Sequence, residues 1–509
     1  MDKDIFFAQF GHLAQGPGGI KKLRDLILQL AMDGNFSSEG SDRWLFEKLG
    51  SIALLDMGQS PKGEFTNKNE VGLPLLGGAS DLGDDTPTPS KWTEQPTKIC
   101  CPNDLVLCVR ATIGKTNIAD REYCLGRGVA GLRAVKVTKE WLRYWLASRS
   151  GDFIKAGKGA TFKQIDKKTL TNWEVNYPPL AEQKRIVAKV DELMGLCDEL
   201  EAQQNEHVAL KRDCVASTLH HLTAAAEPDQ INTNWSITQN NFQNWFNDPQ
   251  TVKTLRATIL QLAVQGRLGT NDQNETSLHD ELQSAIKSQK KKVKADYINE
   301  ENSAWDDIPE NWTKSYIAPA IEELNYGTSK KCDYNVGETN VFRIPNIGRW
   351  EIDHNDMKSA DFTEKEVLKL QLQPGDILLI RSNGSITLVG SPALIQEQDI
   401  DCLYAGYLVR LRLSKSLFDP AFVVRALSAP CVRKEIEGYG RSTSGVKNIN
   451  SRQIASLELP IPPLAEQHRI VAKVDELMAL CDQLEGQINT QSQLTQDLTA
   501  SLIHHMTAA

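Results

Sequence analysis

The sequence predicts an α+β fold: two mixed α/β domains joined by two long helices that form an antiparallel coiled coil, with a pseudo-two-fold internal duplication. Two repeats predict it. The phrase PPLAEQKRIVAKVDELMGLCDELEAQ at 178–203 returns at 462–487 with four differences. On another offset, LRDLILQLAMDGNF at 23–36 matches LRATILQLAVQGRL at 255–268 in 8 of 14 positions. The chain therefore consists of two similar halves rather than a longer array of repeats.

Each half begins with a short helix that has an apolar face and ends near a glycine, as a helix C-cap does. In the first half this helix lies in the N-terminal segment 1–40. In the second half it lies in 227–304, which also holds a polar, highly charged insertion at 269–304. The composition of the insertion predicts a solvated helix or a linker.

A variable domain follows each short helix, at 41–177 and at 305–461, and the two domains align weakly but in order. The apolar run LVLCV at 105–109 follows a Pro-Asn-Asp turn, and ILLI at 377–380 follows a Pro-Gly-Asp turn. Short apolar runs after such turns predict strands. Helical patterns come later in both domains, so each domain is expected to mix α and β structure.

A long helix closes each half, at 178–226 and at 462–509, where helix formers run unbroken for about 45 residues after a Pro-Pro pair. At about 1.5 Å per residue, such a helix is roughly 65 Å long. Apolar residues at alternating spacings of four and three form a coiled-coil seam. The residues predicted to pair the helices are Ile186, Val190, Leu193, Cys197 and Leu200 in the first and Ile470, Val474, Leu477, Cys481, Leu484 and Ile488 in the second. The alternative is that each helix packs only on its neighbouring domain.

The composition is that of an ordinary globular protein, with 40% apolar residues, 24% charged residues and a net charge of −9. This average hides a basic first variable domain, in which 20 Lys and Arg stand against 16 Asp and Glu. No apolar stretch approaches the roughly 20 residues that span a bilayer. The N-terminus has no signal-peptide pattern. We therefore expect a cytoplasmic protein without a membrane contact.

Motifs of a catalytic or metal site are missing. The string Asn176-Tyr177-Pro178-Pro179 has the wrong order for the Asn-Pro-Pro-Tyr tetrad of an amino methyltransferase. Gly114-Lys115-Thr116 resembles the end of a phosphate-binding loop, but Val109 stands where that loop needs its first glycine. The ten cysteines include no CxxC pair. We expect no catalytic residue, no metal and no cofactor in this chain.

Polar loops with glycine, basic and hydroxyl residues recur at matching places in both variable domains and are candidates for nucleic-acid binding. Arginine and asparagine also suit the edges of guanine and adenine. In the first domain the candidates are Gln59, Ser60, Lys62, Arg110, Thr112, Lys115, Lys158, Thr161 and Lys163. In the second they are Thr328, Ser329, Lys330, Lys331, Arg381, Ser382, Asn383, Ser385, Arg441, Thr443, Ser444, Lys447 and Asn448. For each residue the alternative is a role in the turn itself.

The repeated phrase, together with PGDILLIRSNGS, AGYLVRLRL and SGVKNIN, resembles the specificity (S) subunit of type I restriction-modification enzymes. The resemblance covers nearly the whole chain and is weakest in the insertion at 269–304. It implies that each variable domain is a target-recognition domain, which reads one half of a split site in double-stranded DNA. It also implies that the long helices act as a spacer that sets the distance between the half-sites.

The resemblance further implies partners that carry the chemistry. Two modification (M) subunits would dock on the helices and methylate adenine with S-adenosylmethionine. Restriction (R) subunits would add translocation and cleavage that depend on ATP and Mg²⁺. This chain would itself be non-catalytic. Two other interpretations stay open: a coiled-coil protein-interaction scaffold without DNA specificity, and an unassisted nuclease or methyltransferase.

Overall fold

The computed structural model describes residues 11, 14, 18–37, 43–159, 163–224, 228–269, 272–288, 305, 308–439 and 446–508. The chain divides into two compact units. Unit 1 comprises Met1–Val208 and Thr490–Ala509, and unit 2 comprises Ala209–Asn489. Among the described residues, no helix combines the length and the apolar composition that a membrane span needs.

The first half of the chain alternates short helices and short strands before one long helix. Its helices are α1 (Gly19–Met32), α2 (Leu49–Ile52), α3 (Lys139–Ser148), α4 (Ser150–Ala156), α5 (Lys167–Thr171) and α6 (Leu180–Ala224). Its strands are β1 (Leu45–Lys48), β2 (Ala53–Met57), β3 (Thr66–Asn67), β4 (Leu73–Leu76), β5 (Lys91–Thr93), β6 (Ile99–Cys100), β7 (Leu105–Cys108), β8 (Thr116–Ile118), β9 (Tyr123–Leu125), β10 (Val129–Ala134) and β11 (Glu174–Tyr177).

The second half follows the same plan with additional helices at its start. Its helices are α7 (Pro228–Asn240), α8 (Phe242–Trp245), α9 (Pro249–Val264), α10 (His279–Ser288), α11 (Glu364–Leu370), α12 (Pro420–Leu427), α13 (Pro430–Tyr439), α14 (Ser451–Ala455) and α15 (Leu464–Ala508). Its strands are β12 (Thr313–Tyr316), β13 (Ile321–Tyr326), β14 (Thr339–Phe342), β15 (Lys358–Ala360), β16 (Ile377–Ile380), β17 (Ser382–Asn383), β18 (Pro392–Leu394), β19 (Leu403–Tyr404), β20 (Leu408–Leu413), β21 (Lys447–Asn448) and β22 (Glu458–Ile461).

Matching sheets confirm the internal duplication. The antiparallel order β2-β10-β7-β8 in unit 1 returns as β13-β20-β16-β18 in unit 2. The register also repeats, because β1–β11 aligns Leu45 with Tyr177 and β12–β22 aligns Thr313 with Ile461. A second sheet repeats in part, because β5-β4-β9 in unit 1 and β15-β14-β19 in unit 2 each combine one antiparallel and one parallel pairing. The units differ at the edges of this sheet, where unit 1 adds β3 and β6.

The predicted apolar strands lie at the centre of each unit. All four residues of β7 and all four of β16 are buried, which explains why their sequences are continuously apolar rather than alternating. The aspartate of the preceding turn ties each strand to its neighbour. Asp104 binds Arg133 at 2.7 Å, and Asp376 binds Arg412 at 2.7 Å. The two Pro-x-Asp turns therefore have equivalent roles.

The repeated PPLAEQ phrase seats each long helix on its own domain through a buried glutamine. The side-chain oxygen of Gln183 accepts the N–H of Thr138 at 2.8 Å, and its amide nitrogen donates to the carbonyl of Pro178 at 2.8 Å. Gln467 accepts the N–H of Asp419 at 2.7 Å in the same way. Thr138 and Asp419 are the N-caps of α3 and α12. Each glutamine therefore connects the start of a long helix to the start of a domain helix.

The predicted seam residues are buried against their own unit. The buried members are Ile186, Val190, Leu193 and Cys197, in a core with α1 and α3, and Ile470, Val474 and Cys481, in a core with α9 and α12. The partly buried members at the edges of these cores are Leu200, Leu477, Leu484 and Ile488. Burial raises the pKa of the Cys197 thiol to about 11. These side chains therefore pack as the alternative interpretation expects, and direct pairing of α6 with α15 stays a prediction.

Part of the charged insertion is packed, which corrects the expectation of a solvated helix or a linker. Leu278, which directly precedes α10, and Leu282, in the first turn of α10, are buried in the core of unit 2. Glu275 binds Arg469 of α15 at 2.7 Å. A Cβ atom on Gly269 would lie 1.6 Å from a carboxylate oxygen of Glu466, so a larger residue there would displace this carboxylate. The i,i+4 spacing of the two leucines is the signal that the polar composition concealed.

Candidate nucleic-acid interface

Two predicted loops of unit 1 meet at the end of β7. The N–H of Val109 donates to the carbonyl of Gly128 at 2.9 Å, and the carbonyl of Val109 accepts the N–H of Ile165 at 3.0 Å. The N–H of Ala111 donates to the carbonyl of Lys163 at 3.0 Å. The segment that follows β7 is therefore held between the turn before β10 and the segment at 163–165.

The third loop of unit 1, at 59–62, joins the same place through the turn between β9 and β10. The N–H of Gln59 donates to the carbonyl of Leu125 at 2.8 Å. The hydroxyl of Ser60 accepts the N–H of Arg127 at 3.1 Å. Because this turn also bonds to the end of β7, backbone contacts connect all three loops.

Unit 2 repeats this backbone arrangement with different side chains. The N–H of Arg381 donates to the carbonyl of Tyr407 at 2.8 Å, and its carbonyl accepts the N–H of Ile449 at 2.9 Å. The strands β17 and β21 continue this contact as an antiparallel pair. The N–H of Thr328 donates to the carbonyl of Tyr404 at 2.8 Å. The three loops predicted in the second domain therefore converge as they do in the first.

Arg110, after β7, and Arg381, after β16, do not occupy equivalent positions in the two units, as their backbone bonds show. Val109 and Arg381 each accept an N–H from an isoleucine and donate to the turn before β10 or β20. One residue further along each chain segment, Arg110 pairs with Gln164 in unit 1 and Ser382 pairs with Asn448 in unit 2. Arg381 therefore takes the place of Val109.

The candidate side chains near the end of β7 differ in whether they are available to bind a ligand. Arg110, Thr112 and Lys163 are exposed. Ala111, between the first two, has a φ of 61°, a conformation that is uncommon for residues other than glycine and often marks functional loops. The ammonium of Lys115 donates instead to the carbonyl of Leu82, so this lysine stabilises its own domain.

The exposed lysines at the other two loops of unit 1 have distant carboxylate partners. Lys62 lies 3.8 Å from Glu64, and Lys158 lies 3.7 Å from Asp166. Bonds from the backbone and side chain of Thr169 lower the pKa of Asp166 and keep its carboxylate charged as the N-cap of α5. Exposed ion pairs of this length are weak. Both lysines can therefore still bind a phosphate.

Several unit 2 candidates take part in turn structure. The ammonium of Lys330 donates to the carbonyl of Asp361 and lies 4.9 Å from the ring centre of Phe362. The hydroxyl of Thr328 accepts the N–H of Lys330 at 3.0 Å. Ser329 and Lys331 of the same loop are exposed. The candidates on or after β17 and on β21 are Ser382, Asn383, Ser385, Lys447 and Asn448. Thr161, Arg441, Thr443 and Ser444 lie outside the described residues.

Sequence reasoning missed two tyrosines of unit 2 at this site. The ring centre of Tyr326 lies 4.4 Å from the guanidinium carbon of Arg381. Tyr407, whose carbonyl binds Arg381, has a side chain that is 64% exposed. The available signal was a tyrosine beside a glycine in two polar loops, NYGTS and AGYL. Aromatic rings interleaved with basic side chains are typical of nucleic-acid surfaces.

The chemistry that this surface offers is hydrogen bonding and positive charge. Guanidinium, ammonium, amide and hydroxyl groups converge at the end of β7 in unit 1 and of β16 in unit 2. Such donors bind phosphate oxygens and the edges of bases. In the described part of the chain, no group of three His, Cys, Asp or Glu side chains is arranged to hold a metal ion.

These features define a class of protein with two similar domains, each presenting one polar and basic cluster of loops. The family model of the type I restriction modification DNA specificity domain matches the chain twice, at residues 41–210 and 323–493. The two matches cover more than half of the chain, so the chain belongs to this family.

Individual relatives agree with the family model. The chain is 28% identical over 376 residues to the specificity subunit of the type I restriction enzyme EcoAI from Escherichia coli. This alignment covers 70% of this chain and 62% of that protein. It is 27% identical over 346 residues to the specificity subunit of EcoKI from Escherichia coli strain K12, covering 68% of this chain and 59% of that protein. The alignments thus span about three-fifths of these relatives. The crystal structure of the HsdS subunit from Thermoanaerobacter tengcongensis is 31% identical over 40% of this chain and 49% of that chain, with a TM-score of 0.33.

Proposed function

We propose that this chain is the sequence-specific DNA-recognition subunit of a type I restriction-modification complex. One observation carries the proposal. Each unit has its own four-stranded sheet, and the loops at the equivalent end of the two sheets share their backbone bonds but differ in their side chains. Two domains that read different sequences need this combination, because the backbone sets their position and the side chains select bases. Each unit would read one half of a split site in double-stranded DNA.

The two long helices would set the distance between the half-sites. Unit 1 contains the N-terminal part of α6 and the C-terminal part of α15, and unit 2 contains the other two parts. This division supports antiparallel pairing of the helices. Because a helix rises about 1.5 Å per residue and DNA about 3.4 Å per base pair, one added heptad in both helices would widen the gap by about three base pairs.

The repeated helix surface would dock two copies of the same partner, the M subunit. Lys189 and Glu192 form an exposed ion pair at 2.9 Å, and Lys473 and Glu476 form the equivalent pair at 3.0 Å. Core packing does not require identical exposed side chains, whereas two equivalent docking sites do. The M subunits would bring S-adenosylmethionine and methylate adenine, and R subunits would bring ATP and Mg²⁺. This chain would contribute recognition and no catalysis.

Co-expression with the M subunit, followed by genome-wide mapping of methyladenine, tests the proposal. We expect a split, asymmetric motif with a constant gap. Exchange of residues 41–177 for another recognition domain should change one half of the motif and leave the other half intact. A continuous palindrome would contradict the proposal. Failure of the complex to bind DNA would favour the coiled-coil scaffold instead.

A further inference from the structure

Arg381 of unit 2 occupies the position that a buried apolar residue, Val109, occupies in unit 1. The same pair of backbone bonds holds Val109 at the end of β7 and Arg381 at the end of β16. Val109 is fully buried in the core of unit 1, whereas Arg381 is half-buried. A cation therefore stands where the duplicated domain places a core valine, and its position is fixed by the central sheet.

The residue beside this position also differs between the two units. Met57, at the end of β2, packs against the core of unit 1. Tyr326, at the end of β13, instead places its ring centre 4.4 Å from the guanidinium carbon of Arg381. The hydroxyl of Tyr326 accepts the N–H of Ser451 at 3.0 Å, which fixes the ring. A ring held in this way restricts the orientation of the cation over it.

The guanidinium of Arg381 is oriented without being neutralised. Its Nε donates to the side-chain oxygen of Asn448 at 3.4 Å, a long bond. Within the part of the chain that the structure describes, no carboxylate forms an ion pair with Arg381. By contrast, Arg410 and Arg412 on the adjacent β20 are both paired with Glu323. Arg381 thus keeps its two terminal amino groups for a ligand.

We infer that Arg381 reads a guanine in the half-site bound by unit 2 and that Tyr326 is its positioning residue, an inference that rests on the proposed DNA recognition. Two amino groups in a fixed plane match O6 and N7 of guanine in the major groove. A phosphate contact needs a cation but not a fixed plane. Unit 1 has Val109 and Met57 at these positions, so this readout belongs to one half-site only.

The test uses the full chain in complex with its M subunit and maps methyladenine genome-wide. The wild-type motif should contain a G·C pair in the half-site that survives exchange of residues 41–177. Arg381→Gln and Arg381→Lys should relax the choice at that pair by roughly 5- to 100-fold and leave the other half-site unchanged. Tyr326→Phe keeps the ring but loses the bond from Ser451 that holds it, so it should relax the same pair only slightly. Tyr326→Leu should relax the same pair partially.

Lys365→Ala, which removes an exposed charge on α11, is the control and should leave the motif unchanged. An unchanged motif with both Arg381 variants would overturn the inference, as would a unit 2 half-site without a G·C pair. Weaker methylation of all sites without relaxation at any base would also overturn it, because that pattern marks a phosphate contact. Thermal unfolding shows whether Arg381→Gln folds, and Arg381→Lys retains the test if it does not. A wild-type complex that gives no split motif would overturn the proposed function as well.

Discussion

Arg24 on α1 binds the carboxylate of Asp198 on α6 at 2.6 Å, and the same contact recurs in the second half of the chain. Arg24 also binds Glu201 at 2.7 Å. In unit 2, Arg256 binds Asp482 at 2.6 Å and Glu485 at 2.7 Å. A duplicated arginine therefore clamps each short helix to its long helix, which explains why the arginine of LRDLILQL and LRATILQL is retained in both repeats.

Replacement of this clamp should destabilise unit 2 measurably. Arg256→Ala should lower the free energy of unfolding by about 1–2 kcal/mol, because one guanidinium serves two carboxylates in a partly buried place. Urea unfolding measures the change. Lys473→Ala, which breaks a single exposed pair on the same long helix, is the control and should cost less than about 0.5 kcal/mol. Equal losses in the two variants would contradict the special role of the clamp.

The glutamine of PPLAEQ should matter more than its place at a helix start suggests. The amide nitrogen of Gln467 donates to the carbonyls of Leu417 and Pro462, each at 2.9 Å. Gln467→Glu keeps the shape of the side chain but removes these donors and places an acid in a buried site. We expect a loss of about 2–4 kcal/mol in unfolding free energy. Gln487→Glu, exposed on the same helix, is the matched control, and a comparable loss there would rule out the hydrogen bonds as the cause.

The packing of the charged insertion can be tested on one helix. Leu282 is 4% exposed, so Leu282→Ala should lower the unfolding free energy by about 2–4 kcal/mol. Ile286 lies one turn later and is 46% exposed, so Ile286→Ala should cost well under half of that. Both changes place alanine in α10, which keeps helix propensity favourable. Similar small effects of both would mean that α10 does not contribute to the core in solution.

A partly buried carboxylate should make the stability of unit 2 depend on pH. Burial raises the pKa of Glu435 from 4.5 to about 7, and repulsion from Glu458 adds to this effect, while a bond from Tyr439 opposes it. The folded protein therefore binds the Glu435 proton more tightly than the unfolded chain does. The stability from this proton is fully present below pH 4.5 and is lost as the pH rises through 7. Glu435→Gln removes this term, so the variant should gain stability relative to wild type between pH 5 and pH 8. Unfolding at both pH values measures the difference, and a constant difference would contradict the prediction.

A loop lysine should bind the DNA backbone rather than a base. Lys163 is exposed, and its carbonyl holds the loop that follows β7. Lys163→Ala in the complex with the M subunit should weaken binding of matched and mismatched duplexes alike. It should also reduce the slope of log affinity against log salt by about one. Titrations of labelled duplexes at several salt concentrations provide the measurement. A change in the preferred sequence would instead assign Lys163 to base readout.

The parts of the fold that sequence could predict are those set by local pattern. Pro-Pro followed by an unbroken run of helix formers predicted two long helices, and both are present as α6 and α15, each of 45 residues. Apolar runs after Pro-x-Asp turns predicted the strands that became β7 and β16. The sequence also predicted three polar loops in each domain, because similar segments recur in both halves, and their contact with DNA stays a prediction. For the helices and strands, neighbouring residues contain the whole signal.

The parts that escaped prediction depend on residues far apart in the chain. The polar composition of the insertion concealed the two leucines that bury α10, and no local pattern showed that the seam of α6 would pack on α1. The sequence by itself determined a duplicated architecture and the place of its variable loops, since periodicity and turn chemistry are local. Only the tertiary structure decided that Arg381 stands at the position of a core valine beside Tyr326. That relationship exists only because β13 and β16 both flank β20 in the folded sheet, so contacts across the sheet, rather than neighbours along the chain, orient the guanidinium.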